Sequence, residues 1–148
     1  MKWFVNVLMV LLTFTANAQS EHEKESSTLG IDLSVSPACS FTQADLHERI
    51  EGEFYRARLK PAKNSKLDLT VDVLCVEVKN VSGVKTGHAI SYEVRFGFNG
   101  DGLKLLMDEP NYGQLVISGP GADAPSFLMN HIRDDVSLAL TFFLKNLQ

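Results

Sequence analysis

The chain has 148 residues, with 14 Lys or Arg and 18 Asp or Glu, and a formal net charge of −4. This mildly acidic balance argues against nucleic-acid binding, which depends on clustered basic residues. Without its predicted export signal the chain keeps about 130 residues, enough for one domain with its own hydrophobic core.

Residues 1–18 are typical of a secretory signal peptide. Lys2 supplies a positive charge, residues 4–14 form an apolar run, and the small-x-small sequence at 16–18 matches a cleavage site. We therefore predict cleavage after Ala18 and export to the periplasm or the medium. The alternative is a membrane anchor. Because the apolar run is shorter than the ~20 residues that span a bilayer, we expect no stable membrane insertion.

A polar segment separates the signal from the folded part of the chain. Residues 19–29 are polar and charged without any period, which predicts a flexible tail before a single domain at 30–148. At the start of this domain, Ile31, Leu33 and Val35 alternate with polar residues. This alternation predicts a first strand, which Pro37 ends.

A helix is predicted next. Thr42 is a suitable N-cap, and Asp45 three residues later completes a variant of the capping box. We expect Pro61 to stop the helix, and Gly52 inside it indicates that something packs closely there. The residues of its apolar face recur at helical spacing: Leu46, Ile50, Phe54 and Ala57.

Two long antiparallel strands are predicted at 66–80 and 87–99. If Leu67 faces Phe98, then all directly opposed apolar residues fall on one face, down to Cys75 opposite Ile90. From Leu74 onward both faces of the first of these strands turn apolar. A loop, the tail or a partner should therefore cover its outer face near the hairpin, which makes candidate binding residues of Leu74, Val76 and Val78.

The sequence NGDG at 99–102 predicts a hairpin turn. With Gly100 and Asp101 at the turn, Phe98 would face Leu103 and Phe96 would face Leu105. A loop containing Tyr112, either a partner contact or a packed ring, would lead to a further short strand at 115–117.

An amphipathic helix is predicted to end the chain, with Asp123 as its N-cap. Its apolar stripe consists of Leu128, Ile132, Val136, Ala139, Leu140, Phe143 and Leu147. The predicted order is β-α-β-β-β-β-α. It corresponds to an α+β two-layer sandwich in which an antiparallel meander carries both amphipathic helices on one face.

Cys39 and Cys75 are the two cysteines of the chain. In an exported protein such a pair is usually joined, so we predict a disulfide; two buried thiols are the alternative. Structural zinc needs four ligands, and the sequence has no C-x-x-C motif. We expect no metal and no cofactor.

Two groups of polar residues could support chemistry. Glu77 and His88 should oppose each other, either as an acid–base pair or as a cross-strand hydrogen bond. On the other face of the sheet Asp72 should oppose Glu93. These carboxylates form either an acid–base pair, a site for a cation, a surface for a polar partner, or a solvated face.

Three further residues complete the polar outer face. Thr70 should oppose Arg95, and Asp68 lies beside them on the same strand. The sequence HERIE at 47–51 lacks the second His of a metalloprotease helix, and no nucleophile elbow or phosphate-binding loop is present. We therefore expect that the protein is not an enzyme.

The sequence favours a non-catalytic exported module for binding or envelope assembly, whose partner is another envelope or secreted protein. One alternative is a carrier in which Tyr92, Phe96 and Phe98 line a cavity for a small apolar ligand. Another is a hydrolase that uses one of the two acidic pairs. In element order the chain is similar to small exported assembly factors of the bacterial envelope, although no lipid-bearing cysteine follows Ala18.

Overall fold

The computed structural model describes residues 28–119 and 124–146. They form β1 (Leu29–Val35), α1 (Gln43–Arg56), β2 (Leu67–Lys79), β3 (Lys85–Gly100), β4 (Leu103–Ser118) and α2 (Ala124–Asn146). The predicted signal peptide, its cleavage site, most of the tail, Asp123 and Leu147 lie outside these residues. The first strand starts earlier than predicted, because Leu29 belongs to β1 and is buried.

The described strands form one mixed sheet in the order β1-β2-β3-β4. The predicted purely antiparallel meander is wrong, because β1 runs parallel to β2, from Leu29 opposite Leu67 to Val35 opposite Val73. Helix α1 explains the difference. A crossover helix returns the chain to the end of the sheet from which β1 started, so the next strand runs in the same direction.

The predicted pairing of β2 with β3 is confirmed along its length. Leu67 faces Phe98, Cys75 faces Ile90, and the register shifts only beyond Val78. Alternation fixes this register because a slip by one residue would turn every apolar side chain to the other face.

The predicted pairing of β3 with β4 is wrong. Asp101 and Gly102 occupy the turn with φ of 47° and 79°, as a type I′ turn requires, so Phe98 faces Leu105. The predicted short strand at 115–117 and the loop before it are both parts of β4, which has 16 residues. An irregularity lies in the first half of β4, where residues 107–110 stand opposite Phe96 alone.

We define the inner face of the sheet as the one whose side chains are buried and the outer face as the opposite one. Leu69, Val71, Val94 and Phe96 on the inner face are all 0% exposed. Helix residues share the same hydrophobic cluster: Leu46, Ile50, Phe54, Leu128, Ile132, Val136, Ala139, Leu140 and Phe143. The core thus lies between the helices and the inner face.

Aromatic side chains fill this core. The ring of Phe96 lies 6.3 Å from that of Phe142 and 6.2 Å from that of Phe143, measured between centroids. Tyr92 is 2% exposed, and its hydroxyl donates a hydrogen bond of 2.7 Å to Asp135. Burial, with this bond, raises the pKa of Tyr92. The rings of Tyr92 and Phe96 are therefore packed within the core, whereas Phe98 is 46% exposed.

Helix α1 begins as predicted and ends earlier than predicted. The Thr42 hydroxyl accepts the amide of Asp45 at 3.2 Å, and the Asp45 carboxylate accepts the amide of Thr42 at 2.9 Å. The helix ends at Arg56 rather than near Pro61, since Arg58 adopts φ 60° in a Schellman motif. The expected close packing at Gly52 is also wrong, because a Cβ there would meet nothing within 4 Å.

The predicted disulfide between Cys39 and Cys75 is present, with a Cα–Cα distance of 5.1 Å. It joins the loop after β1 to the inner face of β2, beside the first turn of α1. None of the helices that the structure describes is long and apolar enough to cross a membrane.

Candidate functional site

An apolar patch lies on the outer face at the end of the sheet where β2 turns into β3. Leu74 and Val76 are 57% and 51% exposed, and Leu115 and Ile117 on β4 are 68% and 72% exposed. The register places Leu74, Ser91 and Leu115 in one row across three strands and Val76, Ala89 and Ile117 in the next. We call Leu74, Val76, Leu115 and Ile117 the outer-face patch.

Small residues on β3 separate the two sides of the outer-face patch. Neighbouring strands lie about 4.8 Å apart, so Leu74 and Leu115 are separated by roughly 10 Å. Ser91 and Ala89 lie between the two sides and rise less far from the sheet. The four larger side chains therefore surround a shallow centre that another apolar side chain could enter.

The chain covers the outer face at the other end of the sheet. The side chain of Lys104 crosses Gly97 and Thr70 to pair with Asp32. Thr70 is only 3% exposed, so this predicted binding residue is not accessible to a partner. The cover predicted near the β2–β3 hairpin is absent among the described residues, where Leu74 and Val76 are exposed and Val78 is partly buried.

Polar residues occupy the middle of the outer face. Asp72 lies opposite Glu93, as predicted. The guanidinium of Arg95 pairs with Glu93 on its own strand, and Asp68 accepts a hydrogen bond from Asn99. Within residues 28–119 and 124–146, Asp72 has no ion-pair partner, so its charge is not compensated by a neighbouring Lys or Arg side chain.

An open groove connects these polar residues with the outer-face patch. Its volume is about 730 Å³, and residues from all four strands line it, among them Ser34, Asp72, Leu74, Glu93 and Leu115. An extended segment in this groove would contact apolar side chains at one end and an acidic surface at the other.

Among the described residues, no hydrogen bond joins the side chains of Glu77 and His88. They are opposite in register, but the Glu77 carboxylate accepts a hydrogen bond of 2.9 Å from Lys85 and lies 3.7 Å from Lys79. The hydrogen bond from Lys85 lowers the pKa of Glu77 below its ordinary 4.5. A carboxylate held in its ionised form by lysine does not serve as a general acid at neutral pH.

Tyr112 lies in β4 rather than in a loop. It faces Val94 in register, is half-buried and packs against the core cluster. Its ring therefore contributes mainly to packing. Among the described residues no group of three or more His, Cys, Asp or Glu could hold a metal ion.

The structure adds Leu115 and Ile117 to the predicted residues. They lie in a run, Leu115 to Ile117, that is apolar on both faces, as the run from Leu74 is in β2. A strand that is apolar on both faces needs cover on both faces. The pattern that identified Leu74 and Val76 in β2 is therefore also present in β4.

No protein-family model and no curated protein matches this chain. Solved structures to which it is similar include a PelC dodecamer from Paraburkholderia phytofirmans, with 8% identity, coverage of 75% of this chain and 84% of that one, and a TM-score of 0.46. Another is rare lipoprotein B from Shewanella oneidensis, with 12% identity, coverage of 80% and 92%, and a TM-score of 0.35. A minor lipoprotein from Acinetobacter baumannii has 10% identity, coverage of 80% and 88%, and a TM-score of 0.36. At these identities and TM-scores the likeness carries no information about function.

Proposed function

We propose that the protein is an exported, non-catalytic binding module that holds another envelope or secreted protein on the outer face of its sheet. In this arrangement the two helices form one layer on the inner face and leave the opposite face free. The observation that carries the proposal is the outer-face patch, in which four large apolar side chains are 51–72% exposed. Contiguous exposed apolar surface on a small exported domain is typical of an interaction site.

The outer-face patch by itself offers only a limited gain in binding free energy. Full burial of a Val, Leu or Ile side chain contributes about 1.5–3 kcal/mol, and each member of the patch has roughly half or more of this left to gain. Association itself costs at least ~4 kcal/mol in lost freedom of motion. The outer-face patch alone therefore supports only weak binding, and the groove beside it must contribute to a stable complex.

The groove indicates the chemistry of the partner. Asp72 has no cationic partner within the described chain, and it lies next to Leu74 along β2. A partner segment with apolar side chains followed by one Lys or Arg would bury the patch and neutralise this carboxylate. This ion pair at the edge of the contact would increase the selectivity and the rate of association more than it would increase the affinity.

The polar pairs support binding rather than catalysis. Glu77 forms an ion pair with Lys85, and Glu93 forms an ion pair with Arg95. In each candidate acid–base pair, Glu77 with His88 and Asp72 with Glu93, one carboxylate therefore already has a basic partner. The disulfide and the predicted signal peptide support export, because structural disulfides are typical of oxidising compartments.

A crosslinking experiment tests the proposal. A photoreactive amino acid at Leu74, in the protein produced by its own cell, should form an adduct with one defined protein. Because Leu138 on α2 is similarly exposed at 53%, a probe there is the matched control and should not give that adduct. Val76→Lys should abolish the Leu74 adduct. Identical adduct patterns from the two probes, or none from Leu74, would reject the outer face as the binding surface.

A further inference from the structure

We infer that two copies of this chain pair through the free edge of β4, along residues 111–118, to form one continuous sheet. This contact uses the backbone edge of the sheet rather than its outer face. It is therefore independent of the binding function proposed above, and its partner is a second copy of the same chain.

The first observation is that the two edges of the sheet differ. Strand β1 has only 7 residues and carries Asp32, which pairs with Lys104. Its edge is partly occupied, because the Leu29 carbonyl accepts a hydrogen bond of 2.9 Å from the amide of Ala62. Short length, charge and a covering segment are the usual ways in which proteins protect an edge strand.

The second observation is that only one half of β4 has such protection. Residues 103–110 include Lys104, Asp108, Glu109 and Pro110, and they contain the irregularity opposite Phe96. Charges, proline and irregular pairing all oppose the addition of another strand.

Residues 111–118 lack these features. The sequence NYGQLVIS has no charge and no proline, and it pairs regularly with β3 from Asn111 opposite Arg95 to Ser118 opposite His88. No described strand pairs with its other side. In an extended strand about half of the peptide groups point away from the neighbour, so this segment presents a row of donors and acceptors that no other described strand pairs.

The absence of charge favours a second copy as the occupant. The chain as a whole is acidic, with a formal net charge of −4, so copies repel each other where their charges meet. An uncharged edge is where two such copies can meet without opposed like charges. When a strand pairs antiparallel with the same strand of a second copy, the two copies are related by a two-fold axis. This is the commonest symmetry of homo-oligomers.

The geometry of this pairing also extends the apolar surface. A two-fold axis perpendicular to the sheet keeps both outer faces on the same side. Registers centred on Leu115 or Val116 set Leu115 against Leu115 or Ile117 of the second copy. The two outer-face patches would then lie side by side across the new pair of strands.

Sedimentation equilibrium of the exported protein, with its disulfide intact, tests the inference. The wild type should have the mass of a dimer, and Leu115→Lys should raise the dimer dissociation constant at least about tenfold, the equivalent of ~1.4 kcal/mol. Ile117→Lys is the second variant and should act in the same direction. Because both side chains are exposed, the unfolding midpoint of each variant should stay near that of the wild type.

Leu74→Lys is the matched control, since it makes the same change on the same face two strands away from the edge. It should remain a dimer. A monomeric wild type at concentrations well above those in the cell would overturn the inference and leave the proposed function intact. If Leu74→Lys and Leu115→Lys raised the dimer dissociation constant equally, the inference would be overturned as well. The contact between the copies would then involve the outer face of the sheet and not the edge of β4.

Discussion

Successive residues of β2 have opposite environments. Val73 and Cys75 are each 4% exposed, whereas Leu74 and Val76 are 57% and 51% exposed, although all four are apolar. The helices account for the difference, because their side chains join the inner face in one cluster and leave the outer face uncovered. We therefore expect substitutions on the inner face to change stability, and substitutions on the outer face to change binding.

Truncation of the central aromatic residue should have the largest effect. Phe96→Ala removes a ring that is 0% exposed and contacts Phe142 and Phe143, so we expect a loss of about 3–5 kcal/mol in the free energy of unfolding, measured in urea. Phe98→Ala is the matched control, since Phe98 lies on the same strand and is 46% exposed. Similar losses from both variants would contradict the distinction between covered and uncovered residues.

Loss of the disulfide should rank second. The bridge closes a loop with a sequence separation of 36 residues and attaches it to the inner face. Replacing Cys39 and Cys75 together with Ser should lower the free energy of unfolding by about 4 kcal/mol in the chain-entropy model. Reduction of the wild type should lower the free energy of unfolding by a comparable amount, measured in urea. The crosslink from Leu74 should persist below the new unfolding midpoint, and its loss under those conditions would show that the two faces are coupled.

The alternation of the sequence was sufficient to predict the inner face. In β2 and β3 it determined both the buried residues and their partners, because each apolar position of one strand had a counterpart on the other. It also located Leu74 and Val76, where alternation ceases.

Other parts of the fold depend on choices that alternation does not constrain. A turn at Gly100 and Asp101 and a turn at Asp101 and Gly102 both keep Phe98 opposite an apolar leucine on the inner face. Only the backbone requirement for positive φ at both turn residues decides between them. The direction of β1 follows from the crossover helix rather than from the side chains of the strand. The apolar pattern also does not indicate that β4 continues past residue 110.

The capping box of α1 should have a smaller effect, and it depends on pH. Thr42→Ala removes the acceptor for the Asp45 amide, which should cost about 1 kcal/mol at neutral pH. Hydrogen bonds from the Thr42 backbone and side chain lower the pKa of Asp45 below its ordinary 3.8. The stabilisation that ionised Asp45 provides is therefore fully present above the pKa of Asp45 in the unfolded state. It is lost as the pH falls through the lower pKa of Asp45 in the folded state.

Asp45→Asn measures this dependence directly. The difference in melting temperature between wild type and variant should be constant at neutral pH and should shrink below about pH 4 as the wild-type carboxylate becomes protonated. A difference that grows on acidification would contradict the assignment. The variant should leave the crosslink from Leu74 unchanged, because the capping box belongs to the helix side of the molecule.

The smallest expected change in stability is the one that could most directly disprove the comparison between the two faces. Leu74→Ser together with Val76→Ser removes two large apolar side chains, yet each is more than half exposed. We therefore expect the free energy of unfolding of the dilute protein to change by no more than about 0.5 kcal/mol for each substitution. Val73→Ser, one residue away and 4% exposed, should cost several times as much. If the outer pair cost as much as Val73→Ser, some part of the chain would have to cover the outer face in solution. The outer-face patch would then belong to the core of the protein, and the binding function would lose the observation that carries it.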